Sequence, residues 1–299
     1  MSQPLPERAA TSNIYDLGYR PYEGVRLGRL HSSKALYLQS LRAAFGIGRR
    51  TTAKIIPFTL VVLAMFPAVV QLGVAALLDD VEVVRLEEYN EYIQVIIALF
   101  VAAVAPELLG RDMRNRTLPL YFSRPILRRD YALAKLAALS TAMLYLTFLP
   151  QAVMFIGNAL AGSDTLDYLR DNFDQLLRLT VTAVVISVFA SAIALAIAAQ
   201  TSRRAYATGG IIALFALSST IALILFETLG WDGPGRFTYL LGLYFLMRGV
   251  TYWFFSAEAD PTNELAKADI PGVVYFLVVA AITAVATWIL LRRYERMSL

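Results

Sequence analysis

The stretch 106–135, PELLGRDMRNRTLPLYFSRPILRRDYALAK, gathers charged, hydroxyl and proline residues at spacings that could do chemical work. From Arg111 to Lys135 it holds seven Lys/Arg against Asp112 and Asp130, a cationic stretch that anionic headgroups attract. Pro119 and Pro125 cut it into short helical pieces, because proline cannot continue a helix interior. Nothing in it is arranged for bond-making. The whole chain lacks H-E-x-x-H, G-x-S-x-G and G-x-x-x-x-G-K-[ST], so the residues for zinc hydrolysis, serine acyl transfer and phosphate-loop ATP binding are missing. Its one histidine, His31, lies outside the apolar stretches, and the absence of cysteine removes disulfides, thiolate metal sites and thiol nucleophiles. The expectation is a non-catalytic chain with no metal or cofactor of its own.

Three charges close to apolar sequence raise separate questions. Glu107 follows Pro106 at the end of an apolar run, and a carboxylate there needs a partner. Arg111 or Arg114, one or two helical turns on, could supply it, as could Lys135 across the loop. Arg178 stands within reach of Asp171 and Asp174, or of an anionic headgroup. Arg248 interrupts the apolar run 239–255; at mid-membrane it would cost about 2.5–3.5 kcal/mol on insertion scales.

The elements that must position these residues are apolar helices. Residues 55–78, 92–110, 131–160, 175–200, 206–229 and 272–291 are each long enough, or nearly so, to cross a hydrocarbon core of about 30 Å. Hydrophobic residues make up 58% of the 299 and charged residues only 17%, too few for a water-soluble surface. The connecting loops alternate in sign. Nine Lys/Arg precede Ile55 against three acids, six acids lie between Asp79 and Glu91 beside one Arg, and the loop 111–130 is basic again. The segment 164–174 is acidic, while Arg203, Arg204 and the tail carrying Arg292, Arg293 and Arg296 are basic. Basic loops stay on the cytoplasmic side, so six spans with both termini inside are expected. The net charge of +4 follows from this topology and does not call for nucleic acid.

Two elaborations surround the expected membrane domain of residues 55–299. The first is a cytoplasmic segment, 1–54. It opens with a Gly-, Tyr- and Arg-rich arm over 1–33 and continues as a helix over 34–53 lying in the headgroup plane, with Leu38, Leu41 and Phe45 on its apolar face. The second is the extracellular connection 230–271. A seventh span there would reverse the basic tail, so a re-entrant or outer-leaflet helical element is expected instead. The small residues from Ala190 to Ala199 predict close helix packing.

The loop described first resembles the first cytoplasmic loop of ABC-2 type transporter permeases. In that family an acidic residue ending the second helix precedes a Thr-Leu pair, a Ser-x-Pro, an Arg pair and a Lys opening the third helix. Glu107, Thr117-Leu118, Ser123-Arg124-Pro125, Arg128-Arg129 and Lys135 match in type and order, while Arg116 and Ala134 stand where the family usually has Gly. The resemblance implies a coupling helix that sits in a groove of a separately encoded ATPase. It assigns the ATPase contact to Arg114, Arg116, Thr117, Leu118, Pro119, Ser123, Arg124, Pro125, Arg128 and Arg129, and a structural or coupling charge to Glu107 and Lys135. It further implies two ATPase subunits carrying ATP and magnesium, a second permease copy or a related permease, contact with membrane lipids, and a place in a prokaryotic cell membrane. The activity implied is export of a hydrophobic or amphipathic substrate. A different class stays open: a stand-alone scaffold or sensor docking a cytoplasmic partner through 111–135. So does a lipid-modifying enzyme using Glu107 or the extracellular acids.

Overall fold

The computed structural model describes residues 24, 27–77, 83–115, 117–123, 125–161, 165–230, 233–260 and 263–296. Arg116, Arg124 and nearly all of the arm 1–33 before Leu27 lie outside the described residues. Every regular element among the described residues is helical. Among the described residues, six helices are long and apolar enough to cross a membrane: Thr52–Ala75 (α2), Tyr89–Arg114 (α3 over Tyr89–Tyr92, then α4 over Gln94–Arg114), Arg128–Leu160 within α6 (Arg128–Ala161), Phe173–Ala198 (α8), Arg204–Leu229 (α9) and Gly272–Glu295 (α12). Shorter helices are Arg29–Ala44 (α1), Leu118–Phe122 (α5), Thr165–Asp171 (α7), a 3-10 helix over Pro234–Leu241, Leu243–Phe255 (α10) and Glu264–Ala268 (α11). The chain is thus an all-helical, multi-pass membrane protein.

Small residues decide which spans sit at the centre. α8 packs against α6, α12, α4, α10 and α9, and Ala190, Ser191, Ala192, Ala194 and Ala198 are buried along it. Without bulky side chains, neighbouring backbones approach from several sides. The apolar windows of α4 and α8 are 67% and 72% buried inside the bundle, against 22–28% for α2, α9 and α12. The outer three therefore turn most of their apolar surface outward.

The helix expected over 34–53 is shifted and shorter. It ends at Ala44 because Gly46 adopts φ +67°. There the Ile47 amide bonds the Arg42 carbonyl (2.8 Å) and the Gly46 amide bonds the Ala43 carbonyl (3.1 Å), a Schellman closure. A side chain at Gly46 would press to 2.6 Å from the Ala53 carbonyl oxygen. Leu36, Ser40 and Ala44 are buried and Leu41 and Phe45 pack against the core, while Leu38 is exposed, so two of the three residues expected on one face turn inward. α1 also follows α6 rather than crossing it. Arg29 meets Asp130, Tyr37 hydrogen-bonds Thr141, and Phe45 stacks edge-on against Tyr145, three contacts spread over roughly 24 Å at about 1.5 Å per residue.

Between α9 and α12 the chain doubles back. Past Gly230 the 3-10 helix packs on α9, with the Tyr239 ring 5.4 Å from Phe226. The chain then turns at Gly242 into α10, whose first amides, Leu243 and Tyr244, donate to Ser218 Oγ (3.3 Å) and Ser219 Oγ (3.1 Å). Two amides that α10 cannot satisfy itself are thus capped from a neighbouring helix. Ser218 lies 11 residues before the end of α9, so the hairpin tip reaches back roughly 16 Å at about 1.5 Å per residue. α10 returns along α12, where Gly249 leaves room for the ring of Tyr275.

Candidate functional site

The loop between α4 and α6 is folded, short as it is. The Thr117 amide bonds the Asp112 carbonyl (3.1 Å), turning the chain after α4, and Pro119 opens α5 at a position where its missing amide costs nothing. Ser123 Oγ closes α5 by donating to the Leu120 carbonyl (2.9 Å). Asp130 then accepts from the Leu127 amide (3.1 Å) at the start of α6, half of a capping box.

One face of this loop is wedged into the bundle. Leu118 and Ile126 are buried. Tyr121 and Phe122 pack on Tyr131 (5.7 and 5.9 Å between centroids), which packs on Tyr294 of α12 (5.0 Å). The other face is open: Leu120 is 69% and Leu127 52% exposed, and Arg114, Pro119, Ser123, Pro125 and Arg129 are exposed around them. Of the residues assigned by resemblance, Leu118 faces inward, Thr117 and Arg128 are half-buried, and Arg116 and Arg124 fall outside the described residues.

The charge pairs correct the sequence expectation. Glu107 bonds neither Arg111, Arg114 nor Lys135. Its Oε1 accepts from Arg49, just before α2, at 2.6 Å, and its Oε2 lies 3.6 Å from Arg204 at the start of α9. Lys135 instead meets Asp112 (2.8 Å), whose same oxygen accepts from the Tyr131 hydroxyl (2.7 Å). The reason is helical phase. Glu107 and Asp112 are five residues apart, a separation that turns them to different neighbours. Arg128 donates to the Glu295 carbonyl (2.9 Å) and Arg129 pairs with the Glu295 carboxylate. Arg29 grips Asp130 through Nε (2.5 Å) and Nη2 (2.6 Å), a two-point contact that raises the Arg29 pKa above its ordinary value. The loop is therefore tied to α1, α4, α6 and α12.

A second charge cluster lies at the opposite end of the bundle. Arg248 of α10 sits between Glu91 (2.7 Å) and Glu264 (3.6 Å), with the ring of Tyr252 beside it. Burial pulls the Arg248 guanidinium down, and the Glu91 carboxylate returns it above its usual value. Arg178 pairs with Asp174 (3.3 Å), one of the two partners foreseen for it. It also donates to Ser256 Oγ (2.8 Å) and the Phe254 carbonyl (3.2 Å), pinning α8 to the end of α10. Between the two ends runs a buried polar seam: Asn90 accepts from Gln151, and Thr147 contacts Ser187. Among the described residues no group of His, Asp and Glu could hold a metal ion.

Arg49, Asp112, Arg204, Glu264 and Glu295 escaped sequence reasoning as partners. Each is visible as a charge near the end of an apolar stretch, but no local spacing links Arg49 to Glu107 or Arg129 to Glu295. No protein-family model matches the chain, and no curated protein matches it.

Proposed function

We propose that this chain is the membrane permease subunit of an ABC-2-like transporter, with 111–130 as the surface that receives a separately encoded ATPase. The observation that carries the reading is the two-faced loop: Leu118 and Ile126 anchored within, Leu120 and Leu127 presented outward among arginines. A short helix of this kind transmits force only if its foundations are stiff, and its foundations here are ion pairs and packed rings reaching α4, α6 and α12. Displacement of α4 would pass through Glu107 to Arg49 and Arg204, and so to the starts of α2 and α9.

In this reading the loop lies in the cytoplasm with both chain termini, and the hairpin of 3-10 helix and α10 is re-entrant, dipping into the outer leaflet. Capping of its tip by Ser218 and Ser219 suits a depth at which water is scarce. ATP and magnesium belong to the ATPase, of which two copies would serve two permeases. The outward apolar surfaces of α2, α9 and α12 meet lipid or a second permease, and the cargo is a hydrophobic or amphipathic molecule leaving the cell.

Affinity purification of the full chain in mild detergent from its native host tests the proposal. The expected result is co-elution of a phosphate-loop ATPase in near-equal amount, lost in Leu120→Asp. A monodisperse protein that brings down no ATPase would sink it. Capture of a different soluble partner through the same loop would establish the scaffold reading instead.

A further inference from the structure

The pair Arg49–Glu107 separates two cavities at the loop end of the bundle. The larger, about 330 Å³, lies between α2, α4 and α9, within the range of about 300–1,000 Å³ typical of ligand sites. One wall is charged, with Arg49, Arg204 and Glu107; the other is apolar, with Ile56, Pro57, Ala103 and Val104. The smaller, about 190 Å³, is lined by Ser40, Arg111 and the Asp112–Lys135 pair. The Ser40 hydroxyl is buried and has no hydrogen-bond partner among the described residues.

The charge here is unbalanced. Two guanidiniums share one carboxylate, and both oxygens of Glu107 are taken, Oε1 by Arg49 and Oε2 by Arg204. A guanidinium carries five N–H donors in a fork, so each retains donors beyond the nitrogen turned to Glu107. Such a fork matches a phosphate. α9 begins at Arg204 without a side-chain cap, which adds positive potential. Directly beside this charge, the apolar wall follows α2 and α4 toward the interior of the spans.

We infer that this cleft binds an anionic phospholipid. The phosphodiester would sit on Arg49 and Arg204 and one acyl chain against Ile56, Pro57, Ala103 and Val104. One negative charge balances the local excess. A zwitterionic headgroup would bring an ammonium beside Arg49 and Arg204 and is disfavoured. The bound lipid ties the start of α2 to α4 and α9. This assignment holds whether or not the chain couples to an ATPase.

Native mass spectrometry of the delipidated full chain, titrated with phosphatidylglycerol, phosphatidylcholine or inorganic phosphate, tests it. Phosphatidylglycerol should bind at least about tenfold more tightly than phosphatidylcholine, and Arg204→Gln should weaken it about tenfold through loss of a charge-assisted contact. Ala103→Phe, which fills the apolar wall while leaving every charge in place, should abolish retention; it keeps the test alive if Arg204→Gln folds poorly. Equal binding of the two lipids, or binding undiminished in Ala103→Phe, overturns the assignment. Binding of inorganic phosphate as tight as that of phosphatidylglycerol also overturns it, since the source would be the free ion.

Discussion

The two ends of the bundle carry the same motif with the charges exchanged. At the loop end one carboxylate, Glu107, lies between two guanidiniums, Arg49 and Arg204. At the other end one guanidinium, Arg248, lies between two carboxylates, Glu91 and Glu264. Each triad joins three separate segments, and each is left with one charge in excess. The sign follows the loops that feed it: basic around α1, α5 and α9, acidic between α2 and α4. The charge bias that orients spans in a membrane therefore also sets the sign of the excess at each end. The loop end has its excess beside an open cleft with an apolar wall. The hairpin end has its excess packed among Tyr239, Tyr252 and Tyr275, where it serves to hold α10 in place.

The comparison can be broken by removing charges at either end of the bundle. The largest effect is expected at Lys135, buried against Asp112. Lys135→Met strands that carboxylate beside Tyr131 and should cost about 3–5 kcal/mol, the range for breaking a buried pair, read as a lower unfolding temperature in detergent. Next comes Arg248→Gln, which leaves Glu91 and Glu264 facing one another. A loss of about 2–3 kcal/mol is expected, below the range for a fully buried pair because Glu264 is 38% exposed, and adding Glu91→Gln should recover part of it in a double-mutant cycle. Full additivity of the two changes would show that the triad is not a unit.

Glu107→Gln sharpens the contrast. It should lower stability by about 1–2 kcal/mol, since Arg204 is half exposed and solvent screens it, yet phosphatidylglycerol retention should rise because the anion no longer competes with a carboxylate. A fall in retention would show that Glu107 orients the arginines rather than opposing the ligand. The smallest effect is expected from Arg29→Ala. That side chain is solvent-exposed, so the unfolding temperature should stay unchanged in both low and high salt. A clear drop would mean that α1 depends on its first turn and not on Leu36, Tyr37 and Ala44.

By itself, the amino-acid sequence determined the six apolar helices, their approximate limits and the sign of each loop. The stretches 175–200 and 206–229 became Phe173–Ala198 and Arg204–Leu229, because apolar length and loop charge are local sums that need no knowledge of neighbours. The two-proline loop was legible for the same reason: Pro119 and Pro125 act on their own backbone. The end of α1 at Ala44 was also written locally, in Gly46 followed by Ile47, though the apolar spacing of Leu38, Leu41 and Phe45 pointed to a longer helix.

Only the tertiary structure decided the partners. Glu107 was read against Arg111, Arg114 and Lys135 because these lie within a turn or two along the chain or across one loop. Its real partners come from segments 58 and 97 residues away, and which face of α4 turns toward them depends on how α2, α8 and α9 rotate against it. The cleft beside Arg49 and the capping of the hairpin tip by Ser218 and Ser219 arise the same way. A site assembled from the ends of three helices has no period and no spacing, since the vectors that join its members run through space rather than along the chain.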